Sequence, residues 1–159
     1  GRGWGPPGRA GAVRGSGANG GGRRGSRALH GAVQAITPTT QARRFDTHFF
    51  VARAPAGQSA IVDGLEAVTA QWAAPAALVE RHVSGEEELL FPTLMNLVRL
   101  AESATVDDAI AAARRRPAFA VQPTMVEEDG APVILIPAEA GYGITDSRRI
   151  GAVWRERHA

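Results

Sequence analysis

The chain has 159 residues, a length suited to one ordinary domain, and carries a formal net charge of +2 with 44% hydrophobic residues. It contains no cysteine, which excludes disulfides and thiolate metal sites. No apolar run approaches the length of a membrane span, and the N-terminus lacks the apolar centre of a secretory signal. A cytoplasmic location without a membrane partner is therefore the expectation.

Charge and glycine are unevenly spread. Residues 1–34 hold 12 of the 19 glycines and six arginines, with no Asp or Glu. Their apolar residues (Trp4, Val13, Leu29, Val33) show neither helical nor strand period, so the segment reads as disordered: it buries too little to offset the entropy of ordering. The remainder is slightly acidic. Every one of the 18 basic residues is Arg, and Ala, Gly and Pro abound, as in a product of GC-rich coding sequence. A wrong reading frame of such DNA yields the same composition, so residues 1–34 read either as an evolved segment or as an out-of-frame stretch. The expected organisation is a Gly/Arg-rich segment over 1–34, a folded part over 35–145, and a C-terminal tail over 146–159.

In chain order, "FDTHFFVAR" (45–53) alternates as a strand, with Phe45, Thr47, Phe49 and Val51 on one face and Asp46, His48, Phe50 and Ala52 on the other. Pro55 and Gly57 break it. A second strand is expected over "AVTAQW" (67–72), entered from the turn-like "DGLE". "APAALVERHV" predicts a helix with Pro75 in its first turn. In "PTLMNLVRLAES", Leu94, Leu97, Val98 and Ala101 fall on one helical stripe. Thr105 and Asp108 resemble a capping box that opens "VDDAIAAARRR", with acids at its start and Arg at its end, as the helix dipole prefers. "FAVQPTMVEEDGAPVILIP" predicts two short strands around a turn at Asp129–Gly130. The fold class is α+β (mixed α/β).

Two constellations carry candidate chemistry. Arg43 and Arg44, followed by Asp46 and His48, place a pair of guanidinium forks beside a strand. Such forks clamp a diphosphate by bidentate hydrogen bonds, with Asp46 orienting one of them. The plainer reading is a surface Arg–Asp pair of little energetic worth. Asp63, Glu66 and the run Glu86–Glu88 are the candidate carboxylates for a divalent cation, although the run also suits a solvated helix approach. His30, His48, His82 and His158 are scattered without ligand spacing. There is no phosphate-binding glycine loop and no G-x-S-x-G nucleophile elbow. Arg114–Arg116 read as a helix end. The Gly/Arg segment offers charge to nucleic acid but no interleaved aromatics beyond Trp4, a weak RNA-binding device.

Taken together, "ITPTTQARRFDTHFFVARAPAGQSA" and "DGLEAVTAQWAAPAALVERHVSGEEELLFPTLMNLVRLA" resemble the C-terminal half of a Nudix hydrolase. The resemblance spans about residues 35–137, and its most specific parts are "RRFDTHFF" and "LFPTL". It is closest to the bacterial relatives of the type-19 branch, the coenzyme A diphosphatases. It implies a partial Nudix-type α/β/α sandwich that hydrolyses a nucleoside diphosphate linked to another moiety, of the coenzyme A, ADP-ribose or NADH type. It also implies Mg²⁺ or Mn²⁺, which would neutralise phosphate oxygens and activate water. Arg43, Arg44 and Asp46 become the substrate-binding candidates and Glu66 the candidate catalytic carboxylate. The R-E-x-x-E-E core of the Nudix signature, which supplies the metal ligands in that family, does not occur in the sequence. No metal site is therefore assigned, and the expectation is a truncated hydrolase, inactive alone, that does not hold the ion. The alternative is a catalytically silent nucleotide-binding or interaction module with an accessory RNA-contacting tail. A half-domain also leaves a sheet edge open, which predicts self-association.

Overall fold

The computed structural model describes residues 30–55, 62, 70–116 and 119–159. Over these the chain is a mixed α+β protein. Its elements are β1 (His30–Ile36), β2 (Asp46–Val51), α1 (Pro75–Val83), α2 (Phe91–Ala101), α3 (Val106–Arg115), β3 (Ala120–Val121), β4 (Thr124–Glu128), β5 (Ala131–Leu135) and α4 (Ile150–His158). Two single turns of 3-10 helix, Ala138–Ala140 and Ser147–Arg149, precede α4. The strands make a three-stranded sheet in the order β2-β1-β3 and a separate hairpin, β4-β5.

Most local expectations hold. In β2 the exposed residues alternate with half-buried Thr47, Phe49 and Val51. Helix α1 starts on Pro75 and α2 carries Pro92 in its first turn, where the missing N–H has no intrahelical partner to lose. The α2 stripe is buried at Leu94, Leu97 and Val98, joined by Met95 and Asn96. Asn96 meets the cost of burial by donating from Nδ2 to the Pro92 carbonyl at 2.7 Å. At α3 the Thr105 hydroxyl accepts from the Asp108 backbone N–H at 3.1 Å and donates to its carboxylate at 2.7 Å. The β4-β5 turn has positive φ at both Asp129 (54°) and Gly130 (75°), the type I′ geometry that a two-residue hairpin favours.

Three expectations need correction. Residues 30–34 are not part of a disordered segment: they belong to β1, the central strand, which pairs antiparallel with β2 and parallel with β3. The register shifts between Gly31 and Val33, and this bulge interrupts the two-residue alternation by which a strand would be recognised. Residues 1–29 lie outside the described residues. The strand expected over 67–72 is not formed where it can be seen, since Ala70–Trp72 have no regular structure; 67–69 lie outside the described residues. The tail expected over 146–159 is instead folded. Ile150 and Trp154 of α4 are buried within the same cluster as Val33, Val79, Leu94, Val121, Tyr142 and Ile144. Each aliphatic side chain of this cluster contributes about 1.5–3 kcal/mol when withdrawn from water, and Trp154 more, so the folded unit extends past residue 145.

Helix α3 packs on β1 and β2, while α1 packs on α2. Val33 and Val121 reach the core from β1 and β3. The other face of the sheet, with Asp46, His48 and Phe50, is exposed among the described residues.

Candidate functional site

The exposed face begins in the loop between β1 and β2. Thr37 and Phe45 close it: Thr37 N donates to the Phe45 carbonyl at 2.9 Å, and Phe45 N donates to Thr37 Oγ1 at 2.9 Å. Thr37 Oγ1 in turn donates to the Phe45 carbonyl at 3.2 Å. This clamp fixes the residues just before it. Arg44 Nε donates to the Thr37 carbonyl at 3.2 Å, which anchors the guanidinium by its inner nitrogen and leaves the two terminal NH2 groups without a protein acceptor among the described residues. The Arg43 guanidinium lies 5.5 Å from the centre of the Phe45 ring, a cation–π contact.

Along β2 the two-residue period puts Asp46, His48 and Phe50 on one surface, and Gln34 faces His48 across the ladder. Gln34 Nε2 donates to both Asp46 oxygens, at 2.9 and 3.0 Å. His48 Nε2 lies 3.7 Å from Asp46 Oδ1, and its ring stacks on Phe50 with 6.3 Å between centroids. Phe45 and Phe50, at opposite ends of this segment, are 57% and 56% exposed, unusual for large rings.

Asp46 therefore does not orient either arginine, as the sequence suggested. It is held by Gln34, because Arg43 and Arg44 sit in the loop whereas Asp46 points from the ladder. Both guanidinium groups are consequently free of ion pairs among the described residues. That condition is shared by Arg99, Arg114, Arg115, Arg149 and Arg155. What sets this pair apart is that Arg43 lies against the exposed Phe45 ring.

The carboxylate candidates do not gather here. Glu87 pairs with Arg81 at 2.8 Å in the turn between α1 and α2, while Asp63 and Glu66 lie outside the described residues. Among the described residues no three His, Asp or Glu side chains come together in a group able to hold a metal ion. Arg114–Arg116 end α3 as expected, with Arg114 beside His30 Nε2 at 3.3 Å and Arg116 paired with Glu102 at 2.9 Å. Gln34 and the paired rings were not foreseen as site residues. Gln34 fell within the segment read as disordered, and its one visible signal was its place between Val33 and Ala35.

No protein-family model and no curated protein matches the sequence, and no solved structure matches the fold. Among the described residues no helix is long and apolar enough to cross a membrane.

Proposed function

We propose that the chain binds the diphosphate group of a nucleotide-type molecule on its β1–β2 face, as the substrate side of a Nudix-type hydrolase, and does not cleave it by itself. The observation that carries this reading is the adjacent pair Arg43–Arg44, with no carboxylate on either guanidinium among the described residues, and with Arg43 against the exposed Phe45 ring. A diphosphate supplies the acceptors that the Arg44 terminal NH2 groups lack, in the forked geometry suited to phosphate. A planar ring of the ligand stacks against the exposed Phe45 ring. Asp46, bonded by Gln34, sets the edge of this surface and excludes phosphate from the strand itself by like charge. Glu66 remains the candidate base of the parent reaction, and the missing R-E-x-x-E-E core is the reason to expect no turnover.

Isothermal titration of the full chain with coenzyme A, ADP-ribose and NADH in chelator tests the binding. At least one ligand should bind, and Arg44→Ala should weaken it about tenfold, the worth of one charge-assisted hydrogen-bonded contact. Absence of binding to all three overturns the proposal. Turnover at about 1 s⁻¹ or faster with added Mg²⁺ or Mn²⁺, an ordinary enzymatic rate, overturns its second half.

A further inference from the structure

We infer that a second, separate oxyanion site, for a phosphate or diphosphate group, lies where the ends of α2 and α3 meet α4. Three guanidinium groups gather there around one carboxylate. Arg99 comes from the last turn of α2, Arg116 follows α3, and Arg157 belongs to α4; Glu102 stands immediately after α2. Arg116 Nη2 contacts Glu102 Oε2 at 2.9 Å. Arg157 Nη1 approaches Glu102 Oε1 only to 3.9 Å, too far for a hydrogen bond. Among the described residues, Glu102 is the carboxylate that meets Arg116 and Arg157. The cluster thus keeps a surplus of two positive charges.

The fold, rather than acidic partners, holds these charges together. The Arg99 guanidinium lies 3.9 Å from the centre of the Tyr142 ring and donates to the Ala140 carbonyl. Its Nε is buried with no acceptor among the described residues. Burial first, and the charge of Arg116 in addition, draw its pKa below the usual arginine value. Arg157 Nη2 donates to the Tyr142 carbonyl at 3.2 Å. Tyr142 is flanked by Gly141 and Gly143, both with positive φ (69° and 66°). A Cβ at Gly143 would stand 2.5 Å from Arg157 Nη2, so the glycine admits that side chain. Arg99 is the half-buried member that sets the field, while Arg116 and Arg157 keep 41% and 37% of their side chains exposed and present donors to solvent. Two surplus charges in forked guanidinium groups match a phosphoryl dianion in charge and geometry. A surface ion pair between one Arg and one Glu would not need the other two.

Tyr142 is the only tyrosine of the chain, so ring-labelled tyrosine gives a single NMR signal inside the cluster. The full chain is titrated with inorganic pyrophosphate at low salt in chelator. A saturable shift of the Tyr142 signal is expected. Arg116→Ala and Arg157→Ala should each weaken it about tenfold, and Glu102→Gln, which removes the competing carboxylate, should tighten it several-fold. The double variant Arg43→Ala/Arg44→Ala should leave it unchanged, which keeps this site distinguishable from the β1–β2 face. A nucleoside diphosphate that binds more tightly than pyrophosphate identifies a nucleotide as the source of the phosphate; equal affinity identifies the free oxyanion. The inference is overturned if Tyr142 shows no saturable shift, or if the three cluster variants bind as the parent does. Should either arginine variant fail to fold, Glu102→Gln decides alone: unchanged or weakened binding overturns the inference.

Discussion

Replacing Trp154 by Ala tests whether the last ten residues belong to the folded unit. Trp154 is 3% exposed, its Nε1 donates to Glu80 Oε2 at 2.7 Å, and its ring stacks on His158 with centroids 3.8 Å apart. A tryptophan withdraws about 200–250 Å² from water, which at about 25 cal/mol per Å² is roughly 5–6 kcal/mol gross. The alanine that replaces it retains a small part of this burial, and the freed rotamers return roughly 1 kcal/mol. Glu80 is exposed and takes water in place of the indole, so the lost hydrogen bond adds little. The net cost is about 3–5 kcal/mol, in the range of large core truncations. Against a domain stability of about 5–15 kcal/mol this is a large fraction. Urea unfolding followed by far-ultraviolet circular dichroism should show a midpoint lowered in proportion, with the slope unchanged. If α4 were an appended tail, the variant would unfold within about 1 kcal/mol of the parent. That result would refute the packing described for residues 150–158.

Two smaller changes probe local elements. Thr105→Ala removes the side-chain acceptor of the Asp108 N–H at the start of α3 and should cost about 1 kcal/mol by the same urea assay, whereas Thr105→Ser should be close to neutral. The Asp146 carboxyl is held below the usual carboxylate range, chiefly by the side-chain hydrogen bond from Arg148 and then by the Arg148 backbone N–H. A carboxylate with a depressed folded pKa contributes stability above its unfolded value, and that contribution is lost as pH falls through the lower folded value. The difference in urea midpoint between the parent and Asp146→Asn should therefore be full at pH 6 and close progressively below about pH 3.8; a difference independent of pH would contradict the ion pair.

How far the sequence could be read depended on whether each element is specified locally. The helices were legible because their signals are their own. Pro75 and Pro92 mark starts, Thr105 caps, and the Leu94–Val98 stripe has the helical period. The Asp129–Gly130 hairpin was legible for the same reason, since two adjacent residues must adopt positive φ and these two tolerate it. β1 was not, because its strand character comes from partners distant in sequence. It pairs with β2 and β3 on either side, while its own pattern is broken at the bulge. β3 was missed on similar grounds: two residues, Ala120 and Val121, have no period at all and become a strand only beside Gln34 and Ala35.

The candidate sites divide in the same way. A run such as "RRFD" reports that two guanidinium groups and a carboxylate are neighbours in the chain, and the simplest inference is that they neutralise one another. Strand geometry decides otherwise. Asp46 is the first residue of β2 and projects beside Gln34, so its oxygens are taken across the ladder, while Arg44 is turned back to the Thr37 carbonyl. The reverse occurs at Glu102, which has no arginine within two residues yet meets Arg116 and Arg157 from two other helical segments. With 18 basic and 16 acidic residues in the chain, composition predicts near-complete neutralisation and says nothing about where it fails. Surplus charge is a property of the fold: it arises at Arg43–Arg44 because a strand removes the nearest acid, and at Arg99, Arg116 and Arg157 because three helix ends converge on one. Anion binding at both places follows from that imbalance, and the Arg44→Ala and Glu102→Gln variants alter it in opposite directions, at one place removing a positive charge and at the other a negative one.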